Sequence, residues 1–307
     1  MRWRKGGHVY VPDGSIEWAQ AYAFPPTPFD VGDGRLRLYV AFCDLNTVGR
    51  LGYVDVSAED PGEVVGVATE PLLDIGLPGF FDDNGLLPTR VLAVGDRLYL
   101  YYVGYQLGTR VRYFQFEGLA YSDDGGRSFR RASRVPILDR SDPEPLHRTS
   151  AFVDWAGDRF RMWYVAGDEW VLVGGRSLPR YNLRYLESDD GVTWGPAGAV
   201  CLDFADEDEH AFGRPWVFEH DGRHKMLYSV RRQSTGYRLG YAESSNGRTW
   251  ERRDSEVGID VSESGWDSQE IAYGAVVLRG DGGAWLFYNG NERGRTGFGY
   301  AELESWE

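Results

Sequence analysis

The sequence lacks any apolar stretch long enough to cross a bilayer. No run of 18 apolar residues occurs in its 307 positions. The opening Met1-Arg2-Trp3-Arg4-Lys5-Gly6-Gly7 also lacks the apolar core of a secretory leader, so neither export nor a membrane partner is expected. Cysteine is scarce: the two residues, Cys43 and Cys201, lie in different segments and form no disulfide framework. Both are expected to be reduced, which fits a cytoplasmic protein. Positive charge is in deficit, with 33 Lys and Arg against 47 Asp and Glu and a net charge of −14. That balance argues against a nucleic-acid partner. No Cys/His spacing suggests a zinc site, so neither metal nor cofactor is expected.

What the chain has in quantity is glycine, 40 residues, and aromatic residues, 15%, which suits many turns and a packed β core. Its organising stretch runs from Asp158 to Trp194. The alternating Arg159-Phe160-Arg161-Met162-Trp163-Tyr164 and Tyr181-Asn182-Leu183-Arg184-Tyr185 read as strands, and Ser188-Asp189-Asp190-Gly191 reads as a tight turn. The same unit recurs around Tyr102, Tyr228 and Tyr288, which together with Tyr164 are spaced 62, 64 and 60 residues apart, with a weaker copy at Arg37-Leu38-Tyr39-Val40. A fixed period holding about four strands is the signature of propeller blades. The expectation is all-β: one five-bladed β-propeller domain over residues 1–307 with a central pocket. Residues 1–30 would serve as an arm that helps close the ring. Pro25, Pro26 and Pro28 should exclude a central strand there, and 55–78 and 167–180 read mostly as connections and loops.

In a propeller the innermost strand of each blade lines the channel, so the segment before each core strand should face the pocket. Asp82 and Asp83 in Phe81-Asp82-Asp83-Asn84-Gly85 read either as channel-facing carboxylates for acid–base or nucleophilic work or as a turn. Glu209 beside Arg214 is an acid near a substrate-binding cation, or a structural ion pair. Asp267 and Glu270 flank Ser268-Gln269, and His147, Arg148 and His210 occupy equivalent segments. The boxes Ser122 to Phe129, Ser188 to Trp194 and Ser244 to Trp250 are read as hairpin stabilisers without chemistry.

Several of these words resemble a family of five-bladed propeller proteins related to glycoside hydrolase families 43, 32 and 130. They include Trp3-Arg4-Lys5-Gly6, Phe81-Asp82-Asp83-Asn84-Gly85, Gly265-Trp266-Asp267-Ser268 and Tyr288-Asn289-Gly290-Asn291, the last followed by Gly294-Arg295-Thr296-Gly297-Phe298-Gly299-Tyr300. The resemblance spans essentially the whole chain. It implies a carbohydrate-binding pocket with carboxylates from separate blades, and a partner that is a small-molecule carbohydrate or glycosylated metabolite. By position, Asp82, Glu209, Arg214 and Asp267 match the family's pocket, and Asp44 matches its acidic position in the first blade. The chain departs from the pattern at Tyr22 (a usual His), Cys43 (a usual Arg) and Gln269 (a usual Glu, with Glu270 displaced by one). A one-residue shift on a strand turns a side chain to the other face.

The implied function is glycosidase-like action on a small sugar conjugate or sugar nucleotide. Asp82 would be base or nucleophile, Glu209 the acid and Asp267 a third carboxylate of the catalytic set. Asp44, Asp83, His147, Arg148, His210, Arg214, Gln269 and Glu270 would contact substrate. The alternatives are a non-hydrolytic sugar-binding propeller, for which Gln269 speaks, and glycosyl transfer or phosphorolysis. The last requires a basic phosphate pocket, for which Arg148 and Arg214 are the candidates.

Overall fold

The computed structural model describes residues 1–307 and is all-β. After β1 (Arg2–Tyr10), the strands fall into successive antiparallel groups of four. The first holds β2 (Ala21–Gly32), β3 (Arg35–Cys43), β4 (Gly49–Ser57) and β5 (Val64–Val67). The second holds β6 (Leu86–Val94), β7 (Arg97–Leu107), β8 (Tyr113–Ser122) and β9 (Arg130–Arg131). The third is β10 (His147–Trp155), β11 (Phe160–Val173), β12 (Arg176–Ser188) and β13 (Ala199–Leu202). The fourth is β14 (Glu209–His220), β15 (Arg223–Arg232), β16 (Gly236–Ser244) and β17 (Glu251–Arg252). The last joins β18 (Ala272–Leu278), β19 (Ala284–Asn289) and β20 (Phe298–Ser305) to β1, which pairs antiparallel with β20. Single parallel bridges, Arg148 to Phe116 and Tyr181 to Ala211, link the second, third and fourth groups.

The proline stretch keeps to the expectation of no central strand, and two other connecting segments differ from theirs. Pro25, Pro26 and Pro28 sit inside β2, which is an end strand of its group with register shifts at Ala21/Phe24 and Phe24/Thr27. An end strand and its bulges are where missing N–H donors do least harm. Residues 64–67 form β5 rather than connection. The stretch 167–180 is no loop: β11 and β12 continue through it, with Glu169 opposite Arg180 and Trp170 opposite Pro179.

The repeat residues fill the core. Tyr102, Tyr164, Tyr228 and Tyr288 are all 0% exposed, and burying a large side chain of this kind contributes ~2–3 kcal/mol. The residue before the anchor tyrosine ties its group to the next box turn. Tyr101 Oη donates to the Gly191 carbonyl (3.0 Å) and Trp163 Nε1 to the Gly247 carbonyl (2.7 Å). Tyr39 Oη, in the weaker first copy, donates to the Gly126 carbonyl (3.2 Å). These glycines hold φ of +83° (Gly126), +71° (Gly191) and +72° (Gly247), and each N–H donates back to its box serine. The turns thus stabilise their hairpins, as read from sequence, and also couple neighbouring groups.

Candidate functional site

The acids of the repeat have a consistent destination. Each anchor tyrosine hydroxyl donates to a carboxylate: Tyr102 to Asp82 Oδ2 (3.1 Å), Tyr164 to Glu144 (2.8 Å), Tyr228 to Asp254 Oδ1 (2.6 Å) and Tyr288 to Asp267 Oδ2 (3.0 Å). A cation closes each cluster. Arg131 Nε reaches Asp82 Oδ2 (2.7 Å), Arg148 Nε reaches Glu144 Oε2 (2.5 Å), Arg252 pairs with Asp254, and Lys5 Nζ reaches Asp267 Oδ2 (2.6 Å). Desolvation is tolerated where a charge is both paired and hydrogen-bonded. Lys5 comes from β1, so the first strand supplies the cation of the last group's cluster.

Of the four residues expected to converge, Arg214 alone lines the main cavity. Asp82 and Asp267 lie in the clusters just described. Glu209 is not paired with Arg214, as considered from sequence; it holds Arg232 Nη2 (2.5 Å) and both terminal nitrogens of Arg252 (2.8 Å each). Asp83 Oδ2 accepts from the Gly79 amide (2.7 Å), a turn contact. Asp44 caps its own loop through the Asn46 and Val48 amides and pairs with Arg50 (3.0 Å). Arg148 is locked by Glu144 and by the Asp139 and Gly195 carbonyls.

Gln269 and Glu270 donate their amides to Asn291 Oδ1, and Glu270 Oε2 accepts the Arg293 amide (3.1 Å). His147 and His210 are buried with neither ring nitrogen partnered. Burial lowers both imidazoles to about 4, so both are neutral at physiological pH. The His147 ring packs among Tyr113, Trp170 and Tyr181.

A cavity of about 300 Å³ is lined from every group. Its geometry follows from β-bulges. Each first strand has a register shift opposite its group's anchor: residues 25–26 face Val40, 88–89 face Tyr102, 150–151 face Tyr164, 214–215 face Tyr228 and 273–274 face Tyr288. One residue from each shift lines the cavity: Pro25, Thr89, Ser150, Arg214 and Tyr273. A bulge re-aims a side chain that regular pleating would bury. Ser150, Arg214 and Tyr273 hold φ of +55°, +42° and +59°, and the lining residues Tyr22, Thr47 and Arg293 also have positive φ. Strained backbone of this kind persists where the surroundings over-determine it, and it clusters at functional sites.

The wall is aromatic and cationic. Tyr22, Tyr105, Tyr113, Tyr181, Tyr237 and Tyr273 line it together with Arg112, Arg214, Arg231 and Arg293, and among the described residues no Asp or Glu does. Sequence reasoning placed Arg214 here and missed the other three arginines, which lie on a hairpin tip, a strand end and the 291–294 turn. Behind the wall lies Glu117, fully buried, accepting from Thr89 Oγ1 (2.8 Å), the Ala151 amide (3.2 Å) and Thr149 Oγ1 (3.4 Å). Burial raises its carboxyl to about 8 despite those donors. It too escaped the sequence reading, because Phe116-Glu117-Gly118 looks like one polar residue on the solvent side of a strand.

No protein-family model matches the chain. The protein named "Uncharacterized protein Rv1502", from Mycobacterium tuberculosis strain H37Rv, is 33% identical over 305 residues, covering 99% of this chain and 100% of the relative. Among solved structures, that of a BT0996 complex with RGII superposes with a TM-score of 0.74 at 19% identity, over 99% of this protein and 92% of that one. A thermostable family-43 glycoside hydrolase gives 0.67 at 15% identity, over 96% and 91%. A structure of the GH130 family of mannoside phosphorylases, with glycoside hydrolases that target β-1,2 mannosidic linkages in Candida mannan, gives 0.71 at 13% identity, over 99% and 94%. The resemblance in the motifs thus extends to the fold, a β-propeller like that of the family 43, 32 and 130 glycoside hydrolases. At one-third identity along its full length, the chain belongs to the family of the mycobacterial protein Rv1502.

Proposed function

We propose that the five antiparallel groups are the blades of one propeller, that the cavity lies on its axis, and that it binds a sugar conjugate without paired-carboxylate hydrolysis. One observation carries this reading: the five bulge residues turned to the cavity are Pro25, Thr89, Ser150, Arg214 and Tyr273, and none is acidic. Glycoside hydrolysis ordinarily needs two carboxyl groups flanking the scissile bond. The acids assigned that work from sequence, Asp82, Glu209 and Asp267, are each held by cations in buried clusters. The six tyrosines supply flat apolar faces edged with hydroxyls, a suitable surface for a sugar ring. The free, buried thiols of Cys43 and Cys201, which burial raises to about 12, support a reducing, cytoplasmic setting.

Calorimetric titration with a panel of monosaccharides, sugar phosphates and sugar nucleotides, run beside aryl-glycoside turnover assays, tests the reading. Saturable binding with no aglycone release at stoichiometric protein is the expected result; catalytic release sinks it. One observation favours the enzymatic alternative. Glu117 keeps its proton to about 8 and accepts from the cavity-lining Thr89 and from the Ala151 amide, which gives it the protonation state of a general acid. Under that alternative, turnover appears in the assay and Glu117→Gln abolishes it while leaving binding intact.

A further inference from the structure

We propose that the ligand of this cavity is a phosphorylated monosaccharide, with the phosphate taken by the arginines and the ring by the tyrosines. The proposal rests on the reading that the cavity binds a sugar. The chain carries 14 more negative than positive formal charges, yet its cavity wall has four arginines and no carboxylate among the described residues. Many arginines elsewhere are paired with acids, as Arg252 is with Glu209 and Asp254; others, such as Arg110, Arg127 and Arg134, have no acid partner among the described residues, but they do not line the cavity. Arg112, Arg214, Arg231 and Arg293 take part in no salt bridge among the described residues.

Arg214 makes the point most strongly. It is 2% exposed, its Nε has no partner, and its terminal nitrogens donate only to neutral acceptors: the Tyr273 carbonyl (2.6 Å), the Pro26 carbonyl (2.7 Å) and Thr27 Oγ1 (2.8 Å). Burial pulls its pKa down to about 9, which still leaves it charged at neutral pH. Burying a cation without a counter-ion costs several kcal/mol, and here the residue is also held at a positive φ of +42°. A fold that needed only packing at this position would place a neutral side chain there.

The four guanidinium groups are graded in depth. Arg214 is buried, Arg231 half-buried, and Arg112 and Arg293 exposed, so positive charge extends from the floor to the mouth. Such a cleft focuses its field and draws in anions, and the planar guanidinium fork matches phosphate oxygens in pairs. A phosphate dianion meets this surplus better than a single uronate does. A volume of about 300 Å³ is at the small end of ligand pockets, which suits one sugar with its phosphate rather than an oligosaccharide.

The test is isothermal titration of the full-length protein with glucose 1-phosphate, mannose 1-phosphate, UDP-glucose, GDP-mannose, glucuronic acid, glucose, mannose, inorganic phosphate and pyrophosphate. Variants Arg231→Gln and Arg293→Gln are titrated alongside; both residues retain solvent contact, and circular dichroism verifies their folding. The expected result is binding of at least one sugar 1-phosphate that weakens with salt and falls about ten- to a hundredfold in Arg231→Gln. Inorganic phosphate should compete weakly. If sugar nucleotides bind and the 1-phosphates do not, the monosaccharide limit is wrong. Neutral sugars binding as tightly as their phosphates, with both variants unaffected, overturns the phosphate assignment and leaves the sugar site standing. If neither phosphate, pyrophosphate nor any sugar binds, both readings fall together.

Discussion

Replacing Asp82 by Asn separates a role in the fold from a role in the cavity. The carboxylate is fully buried, and its Oδ2 receives both the Arg131 Nε–H (2.7 Å) and the Tyr102 hydroxyl (3.1 Å). Asn fits the same space but is neutral, so Arg131 loses its counter-charge while its side chain stays only 19% exposed. Breaking a buried pair from one side costs ~3–5 kcal/mol, and the residual exposure of Arg131 sets the expectation near ~3 kcal/mol. At about 2.1 cal/mol/K per residue, unfolding 307 residues carries ~0.64 kcal/mol/K, so the melting temperature should fall by about 5 °C. Differential scanning calorimetry of Asp82→Asn beside Arg231→Gln reads the contrast. The first should melt early and retain its sugar-phosphate affinity, whereas the second should melt within about 1 °C of the parent and lose affinity. An Asp82→Asn protein that melts with the parent but no longer binds ligand would refute the structural role assigned to this acid.

Three further outcomes follow from the same geometry. The Glu117 carboxyl titrates from 4.5 up to about 8 on folding, so the native state keeps a proton that the unfolded chain releases. Stability from this group is complete below about 4.5 and is lost as pH rises through about 8, a change of order several kcal/mol. Glu117→Gln should flatten that slope in urea titrations at successive pH values, and an unchanged slope would count against a buried proton here. Gly126→Ala should destabilise by at least ~1–3 kcal/mol, because its Cβ would lie 1.9 Å from Tyr39 Oη at φ +83°; a melting temperature equal to the parent's would mean the Tyr39 contact is dispensable. Removing residues 1–10 strips Asp267 of the Lys5 ammonium and leaves the outer edge of β20 unpaired, its other edge still held by β19. The truncated protein should aggregate through that open edge, and a monodisperse, equally stable product by light scattering would contradict this.

Local chemistry made the β architecture legible. Strand alternation, the Asp and Asn box turns and a tyrosine every sixty-odd residues act over a few neighbouring positions, and the structure shows each as a hairpin or a core anchor. Even the proline stretch was read correctly in its physics, because Pro25, Pro26 and Pro28 do occupy an end strand with bulges.

The destinations of the charged groups were beyond such reading. Asp82 meets its cation 49 positions later and Asp267 meets Lys5 from 262 positions away, and no spacing rule spans those loops. An acid before a core strand looks the same in sequence whether it faces a ligand or a buried guanidinium. Only the chain's return to the same place decides which partner arrives, since an unpaired buried charge costs several kcal/mol. The cavity was hidden for a related reason. It is built from residues that bulges rotate off the regular pleat, from Arg231 near a strand end and from Arg293 in a turn, so period-two alternation assigns them no common face. Their assembly into one cationic, tyrosine-lined wall is a property of the closed tertiary structure alone.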